Sequence, residues 1–379
     1  MTEYITHEKL RNILETLEGK NINFLIGAGA SMPYLQSLDL GNDISFEDLY
    51  EASKKDESKQ KVYEYLSACF LYNSIIKGTY EKIHEEQAEN DECKKIAQQY
   101  QLFIKNLYGI LRRNSIQQPK RANIFTTNYD MFFEYSFDEI GKKNNNVYFN
   151  DGSYGFINKT VSVDRFHIKV SNVGVDSRFE REMPMINLMK LHGSLNWKSE
   201  NDKILLSNKQ LLDKISFNNN QVSEIIDINS FIADSVDETL MNIENNLWED
   251  YSEFMNILNE LSIVKPSKNK FSETVLEEQY YQMLRIFIQE MERNQSVLIA
   301  FGFSFEDEHI RSILKRSLSN PNLLVYIICF DEKAANKYTG YFGEFENVKL
   351  IMNALEDQTK KVGDFSFLNK ILGGNNYSE

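Results

Sequence analysis

Residues 21–31 read NINFLIGAGAS: an apolar run, Asn21–Ile26, that ends on Gly27-Ala28-Gly29-Ala30-Ser31. A run this short, closed by a glycine-rich turn, suits a buried parallel strand, because a strand covered on both faces needs near-continuous apolar sequence. The pattern returns at Ala122–Thr126 (ANIFT), Met185–Leu191 (MINLMKL), Ser296–Phe301 (SVLIAF), Leu323–Phe330 (LLVYIICF) and Val348–Met352 (VKLIM). Such strands, alternating with helical spacing, predict an α/β fold: a Rossmann-like parallel sheet of about six strands with helices on both faces and two helical insertions.

Residues 3–18 predict one amphipathic helix, with Leu10, Ile13, Leu14 and Leu17 on a stripe and Gly19 as its stop. The first insertion is expected over 44–118, where Tyr100, Phe103, Ile104, Leu107, Tyr108 and Leu111 follow helical spacing and Ser45-x-x-Asp48 suits a cap. The second is expected over 200–292, with helices at Leu240–Val264 and Thr274–Glu292. The sheet domain then comprises 1–43, 119–199 and 293–379, and Lys142–Val175 reads as loops with short strands. Asn-rich stretches at 144–146 and 218–220 read as loop tips. The insertions are too long to be loops on a compact domain. Tyr63, Tyr65, Phe70, Leu71 and Tyr72, and Tyr280, Tyr281, Leu284, Phe287 and Ile288, exceed what one helix face needs. They pack on the sheet or form subunit contacts; the second reading predicts a homo-oligomer larger than a dimer.

The 42 basic and 56 acidic residues leave a net charge of −14, which argues against strong direct binding to nucleic acid. Lys105, Arg112, Arg113, Lys120 and Arg121 form a local basic run that reads as a solvated helix end. The N-terminus lacks a basic and apolar leader, and no stretch is apolar enough to span a membrane. Cys69, Cys93 and Cys329 lie far apart without a C-x-x-C pair, so no disulfide framework or cysteine zinc site is expected. A cytoplasmic protein fits these features.

Five short polar runs follow the predicted strands. In Gly27–Ser31 the glycines allow close approach to a pyrophosphate met by main-chain N–H groups at the next helix start, or simply make a tight turn. The third glycine of G-x-G-x-x-G is missing, with Met32 in its place. Thr126-Thr127-Asn128-Tyr129-Asp130 stands where α/β proteins place ligand-binding groups; Thr127 or Asn128 could instead cap the following helix. His192, in Leu191-His192-Gly193-Ser194, stands at a strand end rather than mid-core. Gly302 and Ser304 bring backbone and hydroxyl close to a ligand, and Glu306 and Asp307 favour the next helix start. Asp331 can accept from ribose hydroxyls or serve as an N-cap.

In this order, each at a strand end, the motifs resemble the sirtuins. GAGAS resembles their phosphate loop, TTNYD their T-Q-N-I-D signature, LHGS the H-G element with the catalytic histidine, and GFSF the G-[TS]-S segment beside adenosine. The resemblance covers the sheet domain and neither insertion. It implies that Gly27, Ala28, Gly29, Ala30 and Ser31 hold the pyrophosphate of NAD⁺, with Thr127 beside it. Gly302, Ser304 and Asp331 then meet the adenosine, and Asp130 the carboxamide. Asn128 orients water and ribose, and His192 binds a ribose hydroxyl and acts as base.

The departures narrow the activity. His192 is followed by Ser194, Leu195, Asn196 and Trp197, without the zinc module of deacylating sirtuins. Pro33-Tyr34-Leu35-Gln36 and Asp39 stand near the place of G-I-P-D-F-R, without its arginine. The chain is therefore similar to the zinc-less sirtuin-like proteins of bacteria, and TTNYD, LHGS and GFSFED are spelled as that branch spells them. That resemblance implies an NAD⁺ glycohydrolase of antiphage defence, releasing nicotinamide and ADP-ribose without a metal. A separate HerA-type ATPase partner is one arrangement in that branch, and the sheet pattern ending near Leu372 makes it an expectation here. An NAD-dependent protein deacylase and a non-catalytic NAD or ADP-ribose-binding subunit are the alternatives. Dispersed cysteines predict that metal analysis of purified protein finds no stoichiometric zinc; about one tightly held zinc per chain would reopen the deacylase reading.

Overall fold

The computed structural model describes residues 2–36, 46–54, 57–84, 91–143, 146–176, 179–200, 203–207, 232–244, 252–264, 278–355 and 362–373. Ser45, half of the proposed cap, lies outside them, as do Asp39 and residues 218–220.

Eight parallel strands form the main sheet, in the order Thr2–Ile5, Val348–Asn353, Leu323–Ile328, Ser296–Phe301, Asn21–Ile26, Arg121–Thr126, Met185–Lys190 and Tyr148–Asn150. The inner six are the expected strands. Counted along the chain they lie 6-5-4-1-2-3, the doubly wound order, which reverses direction between Asn21–Ile26 and Ser296–Phe301. The expected count of about six is short by the two edge strands. Thr2–Ile5 falls inside the stretch expected to be helix; pairing with Val348–Asn353 holds it extended, and the helix covers only His7–Leu17. Tyr148–Asn150 falls in the region expected to hold loops and short strands.

Both faces are covered. On one, Phe24 meets Phe103 of the long helix Asp91–Arg113 edge-on at 4.9 Å, in a core shared with helices His7–Leu17, Phe132–Gly141 and Phe365–Ile371. On the other, Phe125 meets Phe287 of helix Glu278–Glu292 edge-on at 4.9 Å. Helices Glu308–Ser317 and Glu332–Phe342 complete that layer. Each stretch read as an insertion thus supplies a covering helix. This removes the basis for aromatic subunit contacts: Tyr63, Tyr65, Phe70, Leu71, Tyr72, Tyr280, Leu284 and Phe287 are buried in the chain's own core, and of the residues named Tyr281 is the exposed one. Of the basic run, Lys105, Arg112 and Arg113 are exposed toward the end of helix Asp91–Arg113, the solvated helix end expected, whereas its last two residues turn inward. Lys120 is buried and donates to the Asn114 carbonyl, and Arg121 pairs with the buried Glu290 at 3.2 Å.

The stretch expected to be one helix over Leu240–Val264 contains helices Val236–Glu244 and Ser252–Glu260, then a strand, Leu261–Ile263. That strand pairs with Gly193–Glu200 in a second sheet, with Lys203–Leu206, Thr160–Val161 and Ser153–Tyr154 beyond. No described helix is long and apolar enough to cross a membrane.

One polar row runs through the apolar sheet. Asn23, Asn123, Asn187 and Asn150 stand level on adjacent strands, all buried. Asn123 Nδ2 donates to Asn23 Oδ1 (2.8 Å), Asn187 Nδ2 to Asn123 Oδ1 (2.9 Å) and Asn150 Nδ2 to Asn187 Oδ1 (2.9 Å). Asn23 Nδ2 carries the row to Ser296 Oγ at 3.0 Å. A slip of one residue in any strand would break the row and turn buried amides into unpaired ones. Asn123→Leu keeps the branch at Cγ but leaves Asn23 Oδ1 facing a methyl group, while Asn187 Nδ2 keeps only the Phe166 carbonyl at 3.3 Å. At about 1–3 kcal/mol for the unpaired group, it should lower unfolding stability by roughly 1–3 kcal/mol or more in urea titration. A loss under about 0.5 kcal/mol would show that the row contributes nothing.

Candidate functional site

A parallel sheet in one register brings the carboxyl ends of its strands to one edge, and all five polar runs lie there. At the reversal point the two glycine runs press together. Gly27 N–H donates to the Phe301 carbonyl (3.0 Å) and Gly29 N–H to that of Gly302 (2.9 Å). A Cβ on Gly27 would stand 2.5 Å from Gly302 O, and one on Gly302, at φ +63, 2.5 Å from Ala30 N. This close approach, not a ligand alone, requires the glycines.

Ala28–Ala30 is one 3₁₀ turn rather than the expected helix start. Ala30 and Ser31 N–H donate to the Gly27 and Ala28 carbonyls. Of the five amides, Ala28 N–H is the one without an internal acceptor among the described residues, and it lies at an exposed position. A pyrophosphate would therefore be met by fewer of these amides than the sequence suggests. Ser31, expected beside it, is buried and donates instead to Asp130 Oδ2 (2.8 Å).

In TTNYD neither Thr127 nor Asn128 caps the next helix, whose N-cap is Met131 without a side-chain bond, and Asp130 makes a turn just before it. Its Oδ1 accepts from Phe132 N–H at 3.1 Å as helix Phe132–Gly141 begins. Partly exposed Thr127 donates through its backbone to the Ile26 carbonyl. Asn128 is 6% exposed, yet among the described residues neither its Oδ1 nor its Nδ2 has a partner at hydrogen-bond geometry, although the Tyr100 hydroxyl lies close enough for the amide to stabilise its ionised form. Buried amides are almost always paired, because each unmade bond costs about 1–3 kcal/mol. An amide left this way at the ligand-binding edge of a doubly wound sheet is a group prepared for something else.

Three residues with no assigned role frame it. Tyr100, from helix Asp91–Arg113, reaches Ser31 Oγ at 2.7 Å. Burial and then the Asp130 carboxylate hold its phenol well above the ordinary pKa. Lys190, buried at the end of its strand, donates to the backbone carbonyls of Asn128 and Asp130 and pairs with Glu134 at 3.3 Å. Burial raises the Glu134 carboxyl pKa, with Lys190 opposing it. A lysine closing an otherwise apolar strand was the signal available in the sequence; for Tyr100, one aromatic in a helical stripe, there was none.

LHGS is fastened to TTNYD: Leu191 N–H donates to the Thr126 carbonyl (2.8 Å) and Leu195 N–H to that of Tyr129 (3.1 Å). Gly193, at φ +86, lets the strand Leu261–Ile263 cross behind the histidine; a Cβ there would stand 2.1 Å from Ser262 O. His192 remains partly exposed, with Nε2 3.1 Å from Asp307 Oδ2.

In GFSFED, Phe305 holds φ +59, a conformation that costs a non-glycine residue about 1–2 kcal/mol. Its fully buried ring, edge-on to Phe303, Tyr338 and Phe342 at 5.0–5.4 Å, offsets this, since burying such a side chain is worth about 1.5–3 kcal/mol. Ser304 is exposed. Asp331, one strand further out and exposed, caps helix Glu332–Phe342 by accepting from Ala334 N–H at 2.8 Å. No group of three or more metal-binding side chains occurs among the described residues.

Residues 122–240 match the SIR2-like domain family. The match takes in TTNYD and LHGS, with the second sheet's strands as far as Lys203–Leu206, and implies NAD-related activity. No curated protein matches the chain. Along one sheet edge the structure thus brings together two glycine turns in mutual contact, a buried amide without a partner among the described residues and a histidine on a carboxylate. Gly302→Ala places a Cβ against the backbone of Gly29 and Ala30 at positive φ. It should cost more than the roughly 1–2 kcal/mol of the backbone conformation alone and weaken NAD⁺ binding. Denaturant melts and calorimetric titration check this; an unchanged midpoint would mean that the two turns can part freely.

Proposed function

We propose that the protein is an NAD⁺ glycohydrolase, hydrolysing NAD⁺ to nicotinamide and ADP-ribose. The observation that carries this reading is the buried Asn128 amide, without a partner among the described residues, just past the strand beside the one that His192 follows. The glycosidic C–N bond breaks with its electron pair passing to the pyridinium nitrogen, so the leaving group needs no proton. A water oxygen bonds to the ribose carbon, and its proton leaves through a base. The protein has only to position water and stabilise developing charge. Asn128 orients water and ribose; His192 binds a ribose hydroxyl and takes the proton. Gly27–Ala30, Thr127, Gly302, Ser304 and Asp331 line the rest of the dinucleotide site, with Ser31 behind them on Asp130.

Asp130 has a further part beside the one the resemblance suggests. Its Oδ2 accepts from Ser31 Oγ and its Oδ1 from Phe132 N–H, so it fixes the loop under Asn128, and each oxygen keeps a lone pair with which to accept from the carboxamide. The spelling of TTNYD, LHGS and GFSFED supports a role in antiphage defence by NAD⁺ depletion, with a separate HerA-type ATPase as partner.

Incubating purified protein with NAD⁺ and quantifying nicotinamide tests the activity. Asn128→Ala and His192→Ala should each lower the rate by about 10²–10⁴-fold, as expected for removing a positioned polar or acid–base group, with unchanged circular dichroism. A folded variant that kept more than half the wild-type rate would remove that residue from the mechanism. Nicotinamide release only in the presence of an acylated peptide would favour the deacylase.

A further inference from the structure

His192 and Asp307 come from different strands, 115 positions apart, and meet at 3.1 Å. Asp307 is the N-cap of helix Glu308–Ser317: its Oδ1 accepts from His309 N–H (3.0 Å) and Ile310 N–H (3.1 Å). Those two bonds fix the carboxylate and aim Oδ2 at the histidine. The loop before it is rigid for its own reasons: the Phe305 ring is clamped by three aromatic neighbours, and Arg311 Nη1 donates to the Phe305 carbonyl at 2.5 Å.

We propose that Asp307 is the positioning residue for His192, holding its imidazole as the Nε2–H tautomer so that Nδ1 stays free as the base. A carboxylate can only accept, so the nitrogen facing it must carry the hydrogen. Nδ1 then has its lone pair, and no side-chain bond to it occurs among the described residues. This rests on the proposed NAD⁺ cleavage only for its kinetic consequence.

Asp307→Asn isolates the effect, because asparagine caps a helix as well as aspartate does. With Oδ1 retained in the cap, the group facing His192 becomes an NH₂ donor, which favours the opposite tautomer. Long-range ¹H–¹⁵N spectra of histidine-labelled protein, with the His192 signal assigned by its loss in His192→Ala, should show Nε2–H in the wild type. The dominant form should change to Nδ1–H in Asp307→Asn. In the nicotinamide assay the same variant should lose about 100-fold or more in kcat, the lower range for a positioned base, with KM within about twofold and an unchanged melting temperature. Asp307→Ser, which also caps, replaces the asparagine variant if that one fails to fold. An unchanged tautomer, or kcat within twofold of wild type, overturns the proposal. Wild-type protein that releases no nicotinamide would defeat the NAD⁺-cleavage reading, while the tautomer measurement would still decide the role of Asp307.

Discussion

Parallel strands converge on a common edge only if their register is exact, and in this protein the register is held by side chains as well as by backbone. The row Ser296–Asn23–Asn123–Asn187–Asn150 crosses five adjacent strands inside an otherwise apolar sheet. Apolar packing alone would accept many alignments of such strands. A buried amide row accepts one, because every other alignment leaves donors and acceptors unpaired at a cost larger than the net gain of each bond. With the strands level, the runs that follow them come together and the two glycine turns touch at the reversal point.

Two aspartates repeat one device at that edge. Asp130, just before one helix, and Asp307, the N-cap of another, each accept from backbone N–H with Oδ1 and hold a site side chain with Oδ2, Ser31 in one case and His192 in the other. A carboxylate immobilised by backbone N–H groups loses little further freedom when it positions a second group, so the helix start becomes part of the site's rigidity. Asn128 is left outside this arrangement. The Phe132 N–H at the helix start goes to Asp130, and the Asn128 peptide is held through its carbonyl by Lys190. The surroundings thus fix its backbone and, among the described residues, leave its amide without a partner.

The helical stretch before Arg121 also reaches the site. Tyr100 is packed against Phe132, Phe133 and Phe365 and bonds to Ser31. The covering layer and the ligand loops therefore share one core, and a disturbance of helix Asp91–Arg113 would be felt at Ser31 and Asp130.

The six inner strands and the polar runs behind them were legible in the sequence, since covered strands and glycine turns leave a local pattern, whereas two of the covering helices read as parts of insertions. The sequence also marked Asn128, Asp130 and His192 by their motifs. Tertiary structure decided what required pairing at a distance. Thr2–Ile5 is a strand because Val348–Asn353 lies beside it, and Leu261–Ile263 because Gly193–Glu200 does. The aromatics of both helical stretches turned inward because the sheet needed covering. The asparagines of NINFLI, ANIFT and MINLMK were visible one by one, but as a row they exist only in register. Asp307 read as a helix cap and is one; its second bond depends on a strand 115 residues earlier in the chain, and no local spacing encodes that approach.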